Sequence, residues 1–316
     1  MKIKGFLTYA IMLSFIGWCI IAFRADLAQI RLEPIWTARY SVLLAVLLTL
    51  FNYALRVLRW TLYLSRLGYA LPFGFSLLTY IAGFAFTLSP GKVGEMVRGR
   101  YYQKLGIPLS TTAAAFFIER LMDLLAMLAL TGLALATAAA YLPLIGGVVG
   151  VIVSSLVLLA LAPWVRISAW VEHINRLPVR LKKPLSGIFR TLDSAKTLLH
   201  PKWLMLGFLL ALIAWGAEGV GLMVIGKMFP VVAMDWATAT SIYSIAIIIG
   251  VLSFLPGGLG GTEAVMAVLL NKHGYSLPDA ILMTLVCRLL TLWLAVALGL
   301  FAVLLLRCKS RFQVYS

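Results

Sequence analysis

Long apolar runs recur along the whole chain, separated by short polar and mostly basic stretches. A run of 18 or more apolar residues can cross a hydrocarbon core of about 30 Å as a helix. The runs predict six full spans, at about 6–23, 40–63, 111–141, 144–163, 202–226 and 277–306. Two other apolar stretches are shorter and interrupted. The first, 73–88, halts at Ser89-Pro90-Gly91 and resumes as a segment, 92–105, that carries Glu95, Arg98, Arg100 and Lys104. In the second, 237–255 and 262–272 flank Pro256-Gly257-Gly258-Leu259-Gly260-Gly261. Broken backbone at membrane depth is tolerated only where protein or a water-filled cavity surrounds it, so both read as re-entrant hairpins, 73–105 and 237–272. The expected fold is an all-α polytopic membrane protein with about six full spans and two re-entrant helical hairpins.

Composition agrees. Of 316 residues, 62% are hydrophobic and 12% charged, and the mean hydropathy is +1.00. A soluble domain carries about 25% charged residues, so a water-soluble enzyme with one buried core is excluded. The formal charge of +16 sits mostly between the apolar runs. That placement points to anionic lipid headgroups as partners rather than nucleic acid. Residues 164–201 form a basic segment between a first membrane half, 1–163, and a second, 202–316. Within it, Leu185, Ile188, Phe189 and Leu192, with Leu199 beyond, recur at helical spacing and predict an amphipathic helix on the membrane surface. The basic N-terminus, the 56–66 turn, 98–104, 164–202 and the Arg307–Arg311 tail fall on one side of this topology. The positive-inside rule makes that side the cytoplasm, with both termini cytoplasmic in a bacterial-type inner membrane. Lys2 and Lys4 precede an apolar stretch without an A-x-A-like cleavage site, so residues 1–23 read as a retained helix. Cys19, Cys287 and Cys308 show no metal spacing, and no cofactor is expected.

The two interrupted regions resemble each other. Pro90-Gly91-Lys92-Val93-Gly94 and Pro256-Gly257-Gly258-Leu259-Gly260 share the form P-G-x-x-G, and a glutamate follows each, Glu95 and Glu263. From there the register is constant at 168 positions, pairing Gly106 with Gly274, Leu109 with Leu277, Arg120 with Arg288 and Leu124 with Leu292. With the hairpins entering from opposite faces, this is an inverted repeat. Gly/Pro-interrupted segments at corresponding positions of two halves point to a transporter's binding site.

Arg120 and Arg288 lie about 15 Å into their helices, near the bilayer midplane. An arginine there costs about 2.5–3.5 kcal/mol on insertion scales and must find a partner. Asp123 serves Arg120 along the same helix. Arg288 has no acid at i±3 or i±4, so its counter-ion comes from another helix, Glu263 or Glu218, or from a bound anion. Two readings stay open: a buried interhelical salt bridge, or a guanidinium fork that meets a lipid phosphate. Glu95 and Glu263 sit where a half-helix starts, and the glycines Gly91, Gly94, Gly257 and Gly260 would offer backbone N–H groups to an anion. Glu119 and Asp123 add intramembrane acid that could exchange protons. Asn52, Arg56 and Arg59 read as an ordinary cytoplasmic anchor at the end of their span. Glu218, among small residues, reads as packing or function alike.

With these residues in hand, the chain resembles the family of the transmembrane region of bacterial lysylphosphatidylglycerol synthase, also called flippase-like integral membrane proteins. The resemblance rests on Ser89-Pro90-Gly91-Lys92-Val93-Gly94-Glu95, on Glu119-Arg120-Leu121-Met122-Asp123 and on Leu255–Glu263. In the synthase such a region precedes a domain that aminoacylates phosphatidylglycerol. These 316 residues hold no such domain, so the resemblance implies translocation and not synthesis. The expected function is a flippase for an anionic, aminoacylated or polyprenyl/glycolipid-type lipid. The substrate would meet Arg288, Glu263, Arg120, Glu95, Arg98, Glu119, Asp123 and Glu218. The alternative is a non-transporting membrane subunit that docks a lipid synthase or glycosyltransferase through the basic segment. A membrane-embedded transferase ranks third, because no nucleophile or metal cluster accompanies the acids.

Overall fold

The computed structural model describes residues 38–135, 179–229 and 233–312, with isolated positions between 33 and 36 and between 146 and 167. The expected span at 6–23 and most of 144–163 lie outside the described residues. Every described element is helical. Helices α1 (Arg39–Arg66) and α2 (Phe73–Phe84) lead to a 3-10 segment, Pro90–Val97, that runs into α3 (Arg98–Gln103). Then come α4 (Leu109–Leu135), α5 (Val179–Lys196), α6 (Pro201–Gly226) and α7 (Trp236–Leu252). A 3-10 turn, Pro256–Gly258, separates α7 from α8 (Gly261–Lys272). Helix α9 (Leu277–Arg288) passes through a π-helical turn, Leu289–Trp293, into α10 (Leu294–Phe312).

Three described helices are long and apolar enough to cross a membrane: Arg39–Arg66, Pro201–Gly226 and the continuous Leu277–Cys308. At 27 residues α4 has the length, but Glu119, Arg120 and Asp123 interrupt it, which demands protein on that face. The apolar side chains of α1 and α10 that face outward, such as Leu43, Leu47, Leu300, Phe301 and Leu304, are exposed. In a soluble protein such a surface would drive aggregation; against lipid it is the required one.

Helix α6 is the hub, packed on α1, α4, α7 and α9. Its small residues allow this close approach. A Cβ on Gly219 would stand 2.5 Å from Thr240 Cα of α7. Gly299 of α10 does the same for α2, since an added Cβ would lie 2.7 Å from the Phe84 carbonyl carbon and 2.9 Å from Ala85 Cα. Backbone cannot yield as a side chain does. Gly299→Val should therefore cost about 1–3 kcal/mol, read as a lower unfolding temperature of the detergent-solubilised protein.

Both interruptions open with the same local geometry. Ser89 and Leu255 precede the prolines at φ/ψ of −69°/147° and −69°/146°. The N–H of Lys92 donates to the Ser89 carbonyl at 2.9 Å, and that of Gly258 to the Leu255 carbonyl at 2.9 Å. The turns that follow also coincide: Gly106 N–H donates to Gln103 O and Gly274 N–H to Asn271 O, both at 3.0 Å. The correspondence seen in residue types is thus present in hydrogen bonds. The two breaks also touch each other, the 3-10 segment at 90–97 packing on the turn at 256–258.

The helix expected in the basic segment is α5. Its apolar stripe packs on α4, with Leu192 against the core and Phe189 stacked on Trp164 at 6.1 Å. One expectation fails. Asn52, Arg56 and Arg59 are no interfacial anchor: they are 1%, 5% and 1% exposed. Helix α1 continues to Arg66, so its end lies beyond them, and their face turns toward α2, α4 and α6.

Candidate functional site

The burial of these arginines creates a cluster in the first half. Arg59 Nη2 lies 2.6 Å from Asp123 Oδ1, and Arg98 Nη2 lies 2.6 Å from Glu119 Oε2. Arg120 reaches Glu119 at 2.9 Å, Asp123 at 3.2 Å and Glu95 at 3.9 Å. Tyr80 donates its hydroxyl to Glu119, and Thr87 donates to Glu95 at 2.8 Å. Arg98 also lies over the Trp60 ring, its Cζ 3.6 Å from the centroid. Removing charges from water costs several kcal/mol per ion, and this density of short contacts is what offsets it.

Arg56 is the member left over. Its closest carboxylate contact, to Glu95 Oε2, is 3.9 Å, and its buried Nε and Nη2 take no hydrogen bond. The side chain rests instead among the rings of Phe84, Trp215 and Tyr80, 5.1–5.9 Å from their centroids. Four arginines (Arg56, Arg59, Arg98, Arg120) thus meet three carboxylates (Glu95, Glu119, Asp123), an excess of one positive charge.

In the second half the pairing is simpler. Arg288 Nε donates to Glu263 Oε1 at 2.6 Å and Nη2 to the Gly257 carbonyl at 2.8 Å, which leaves Nη1 without a partner among the described residues. Glu263, not Glu218, is therefore the counter-ion that α9 itself lacks. The same acid–arginine pairing spans the repeat, Glu95 with Arg120 and Glu263 with Arg288, but at 3.9 Å in the first copy and 2.6 Å in the second.

Two small cavities adjoin the breaks, the first lying between them. One is lined by Ser89, Lys92, Gly257, Gly258, Thr262 and Arg288 among others. The other is lined by Asn52, Tyr53, Arg56, Lys92, Glu218, Tyr243 and Arg288 among others. The centre of a water molecule can range over about 30 Å³ in the first and about 40 Å³ in the second. Since one water needs about 10–15 Å³ by this measure, each holds only two or three. Three cations, Arg56, Lys92 and Arg288, thus face one space with Glu218 as the acid on its wall. Beside it, Tyr53 donates to the Thr291 carbonyl inside the π-helical turn that follows Arg288.

The residues singled out in the sequence fall into two groups. Arg98, Glu119, Asp123, Arg120 and Glu95 join the first-half cluster, whereas Arg288, Glu263, Gly257 and Glu218 stand at or beside the cavities. Gly91 and Gly94 lie in the 3-10 segment. The N–H groups of Gly94 and Gly260 are taken within the chain, by Ser89 Oγ at 2.5 Å and by Glu263 Oε2 at 2.6 Å. Glu263 acts there as the helix cap, so neither N–H is offered to an anion.

Lys92, Arg56, Tyr53 and Tyr243 were not anticipated. For Lys92 a signal existed. It occupies the position of Gly258 in the repeat and adopts the same left-handed backbone, φ 57° against 69°. A non-glycine residue there costs about 1–2 kcal/mol. The strain marks a position where a side chain, in this case a cation on a cavity wall, is retained against the local preference.

The sequence matches the family described as Lysylphosphatidylglycerol synthase TM region over residues 5–299. It is also similar to a UPF0104 membrane protein of Methanothermobacter thermautotrophicus, 30% identical over 292 residues, with 85% of this chain and 84% of the relative covered. The helical architecture with its apolar outer face agrees with both, and the chain belongs to the lysylphosphatidylglycerol synthase TM region family of membrane proteins.

Proposed function

We propose that this chain is a lipid flippase that carries an anionic headgroup between leaflets through the space between the two Pro-Gly breaks. The observation that carries this reading is the convergence of Arg56, Lys92 and Arg288 on one cavity, where Arg56 is the arginine in excess over the carboxylates of the buried cluster. A buried guanidinium with unbonded N–H groups, as in Arg56, is expensive, and a phosphate oxygen is the acceptor its geometry suits. Arg288 Nη1 and the Lys92 ammonium would take the phosphate. Arg56 would complete the shell, and the acyl chains would stay in the bilayer. Space for two or three waters does not admit a headgroup, so the contact between the breaks must part during transport. The arrangement calls for no bond-making step. In this reading the hairpins enter from opposite faces, the termini are cytoplasmic and the membrane is the bacterial-type inner membrane.

The test is leaflet exchange of a fluorescent phosphatidylglycerol in proteoliposomes, with a fluorescent phosphatidylcholine as the zwitterionic comparison. Exchange of the anionic probe should exceed that of the zwitterionic one and fall at least about fivefold in Arg288→Ala and Glu263→Ala, the loss of about 1 kcal/mol or more of binding. Wild-type exchange in both variants would sink the proposed site.

A further inference from the structure

Of the acids Glu95, Glu119, Asp123, Glu218 and Glu263, four are held by a base among the described residues. Glu95, Glu119 and Asp123 lie among Arg56, Arg59, Arg98 and Arg120, and Glu263 binds Arg288. Glu218 differs. It is 3% exposed, takes one hydrogen bond, from the Thr49 hydroxyl at 3.2 Å, and has no basic nitrogen within 4.0 Å among the described residues. Yet it lines the cavity on which the three cations converge. Around it stand Tyr53 and Arg56 from α1, Lys92 from the first break, Tyr243 from α7, and Arg288 and Cys287 from α9. The acids and Arg120 of α4, the remaining helix against α6, are engaged with one another and with Arg59 and Arg98.

Resting on the flippase reading, we infer that Glu218 is a proton site coupled to the headgroup, taking up one proton for each anionic lipid that enters the cavity. The reason is electrostatic. In the empty cavity an ionised Glu218 offsets Arg56 and Lys92, which share its lining. An arriving phosphodiester takes over that role and sets a second negative charge beside a carboxylate that one hydroxyl stabilises. Like charges at such separation in a medium of low dielectric disfavour joint ionisation. A proton from the aqueous phase then adds to the Glu218 carboxylate, so lipid and proton occupy the site together and leave together. The cargo charge is cancelled, which makes crossing the midplane cheaper for the pair than for the anion alone. The acids expected in the sequence to exchange protons, Glu119 and Asp123, are tied up by arginines and serve the scaffold.

The experiment is calorimetric titration of the purified, detergent-solubilised full chain with dihexanoyl phosphatidylglycerol, whose phosphodiester keeps its charge from pH 5.5 to 8.5. Titrations run in two buffers of different ionisation enthalpy at each pH. Wild type should bind more tightly in acid, by up to about tenfold per pH unit, and take up close to one proton per lipid in the alkaline part of the range. Glu218→Gln in a Lys92→Arg background, where the cation beside it cannot titrate, should bind with little pH dependence and no proton uptake, whereas Lys92→Arg alone should keep both. Glu218→Asp should retain both. Thr49→Val, which removes the hydroxyl that favours the ionised form, should move the wild-type profile to higher pH. Binding by wild type without pH dependence, or unchanged proton uptake when Glu218→Gln joins Lys92→Arg, would overturn the proton site and leave the anion site standing. No binding by wild type at any pH would overturn the flippase reading and this inference with it.

Discussion

Lys92→Gly should leave the fold intact while reducing exchange of the anionic lipid by about 10- to 100-fold. The substitution separates backbone from side chain at one position. At φ 57° glycine relieves the left-handed strain, as Gly258 does in the other break at φ 69°. The relief, about 1–2 kcal/mol, is offset by the entropy that glycine adds to the unfolded chain, about 0.4–1 kcal/mol. Unfolding temperature should therefore hold or rise slightly. What is lost is an ammonium on both cavity walls. A hydrogen bond to a charged group contributes about 1.5–3 kcal/mol, which gives the predicted range in rate. Lys92→Arg should keep much of the exchange. A stable Lys92→Gly protein that flips phosphatidylglycerol at the wild-type rate would remove Lys92 from the site.

Arg98→Ala should have the opposite signature, destabilising the protein by about 3–5 kcal/mol, the usual cost of stripping one partner from a buried ion pair. Arg98 is fully buried, holds Glu119 at 2.6 Å and covers the Trp60 ring at 3.6 Å, so its loss leaves both a cavity and an underpaired acid. Arg98→Lys should not rescue it, because an ammonium cannot stack flat on the indole as the guanidinium does. Adding Glu119→Gln to Arg98→Ala should not recover the loss, because Glu119 still pairs with Arg120 at 2.9 Å and with Arg59 at 3.5 Å. The check is thermal or denaturant unfolding in detergent. A change in Arg98→Ala below about 1 kcal/mol would show that the cluster is not a structural keystone.

Much of this site could be read from the sequence, and what could not has identifiable causes. The Pro-Gly breaks were legible because few residues interrupt an apolar helix in this way. The Arg288–Glu263 pair was legible as one of three choices, beside Glu218 and a bound anion, since α9 offers no acid of its own near Arg288. Arg56 and Arg59 were not. The spacing of Asn52, Arg56 and Arg59 suits an interfacial anchor as well as a buried face, and only the helices packed around α1 decide between them. Lys92 was aligned with Gly258 from the start, but sequence pairing does not reveal the sign of φ, and the sign carries the meaning. The surplus of acids was visible as well. Which of them lacks a base depends on distances between helices far apart in the chain.

The pairing of Lys92 with Gly258 also bears on how such a molecule can arise. Both residues line the same cavity, where the centre of a water molecule can range over about 30 Å³. Were the protein assembled from two identical copies of one half, a lysine at this position would appear twice and set two ammonium groups against each other in that space. A glycine would appear twice and leave no ammonium at all. With both breaks in one chain that restriction is lifted, because each position can hold a different residue. One break has kept the residue that its backbone prefers, and the other has accepted strain to carry the charge. The two breaks thus differ at this position, with the residue that the backbone prefers in one and a cation on the cavity wall in the other.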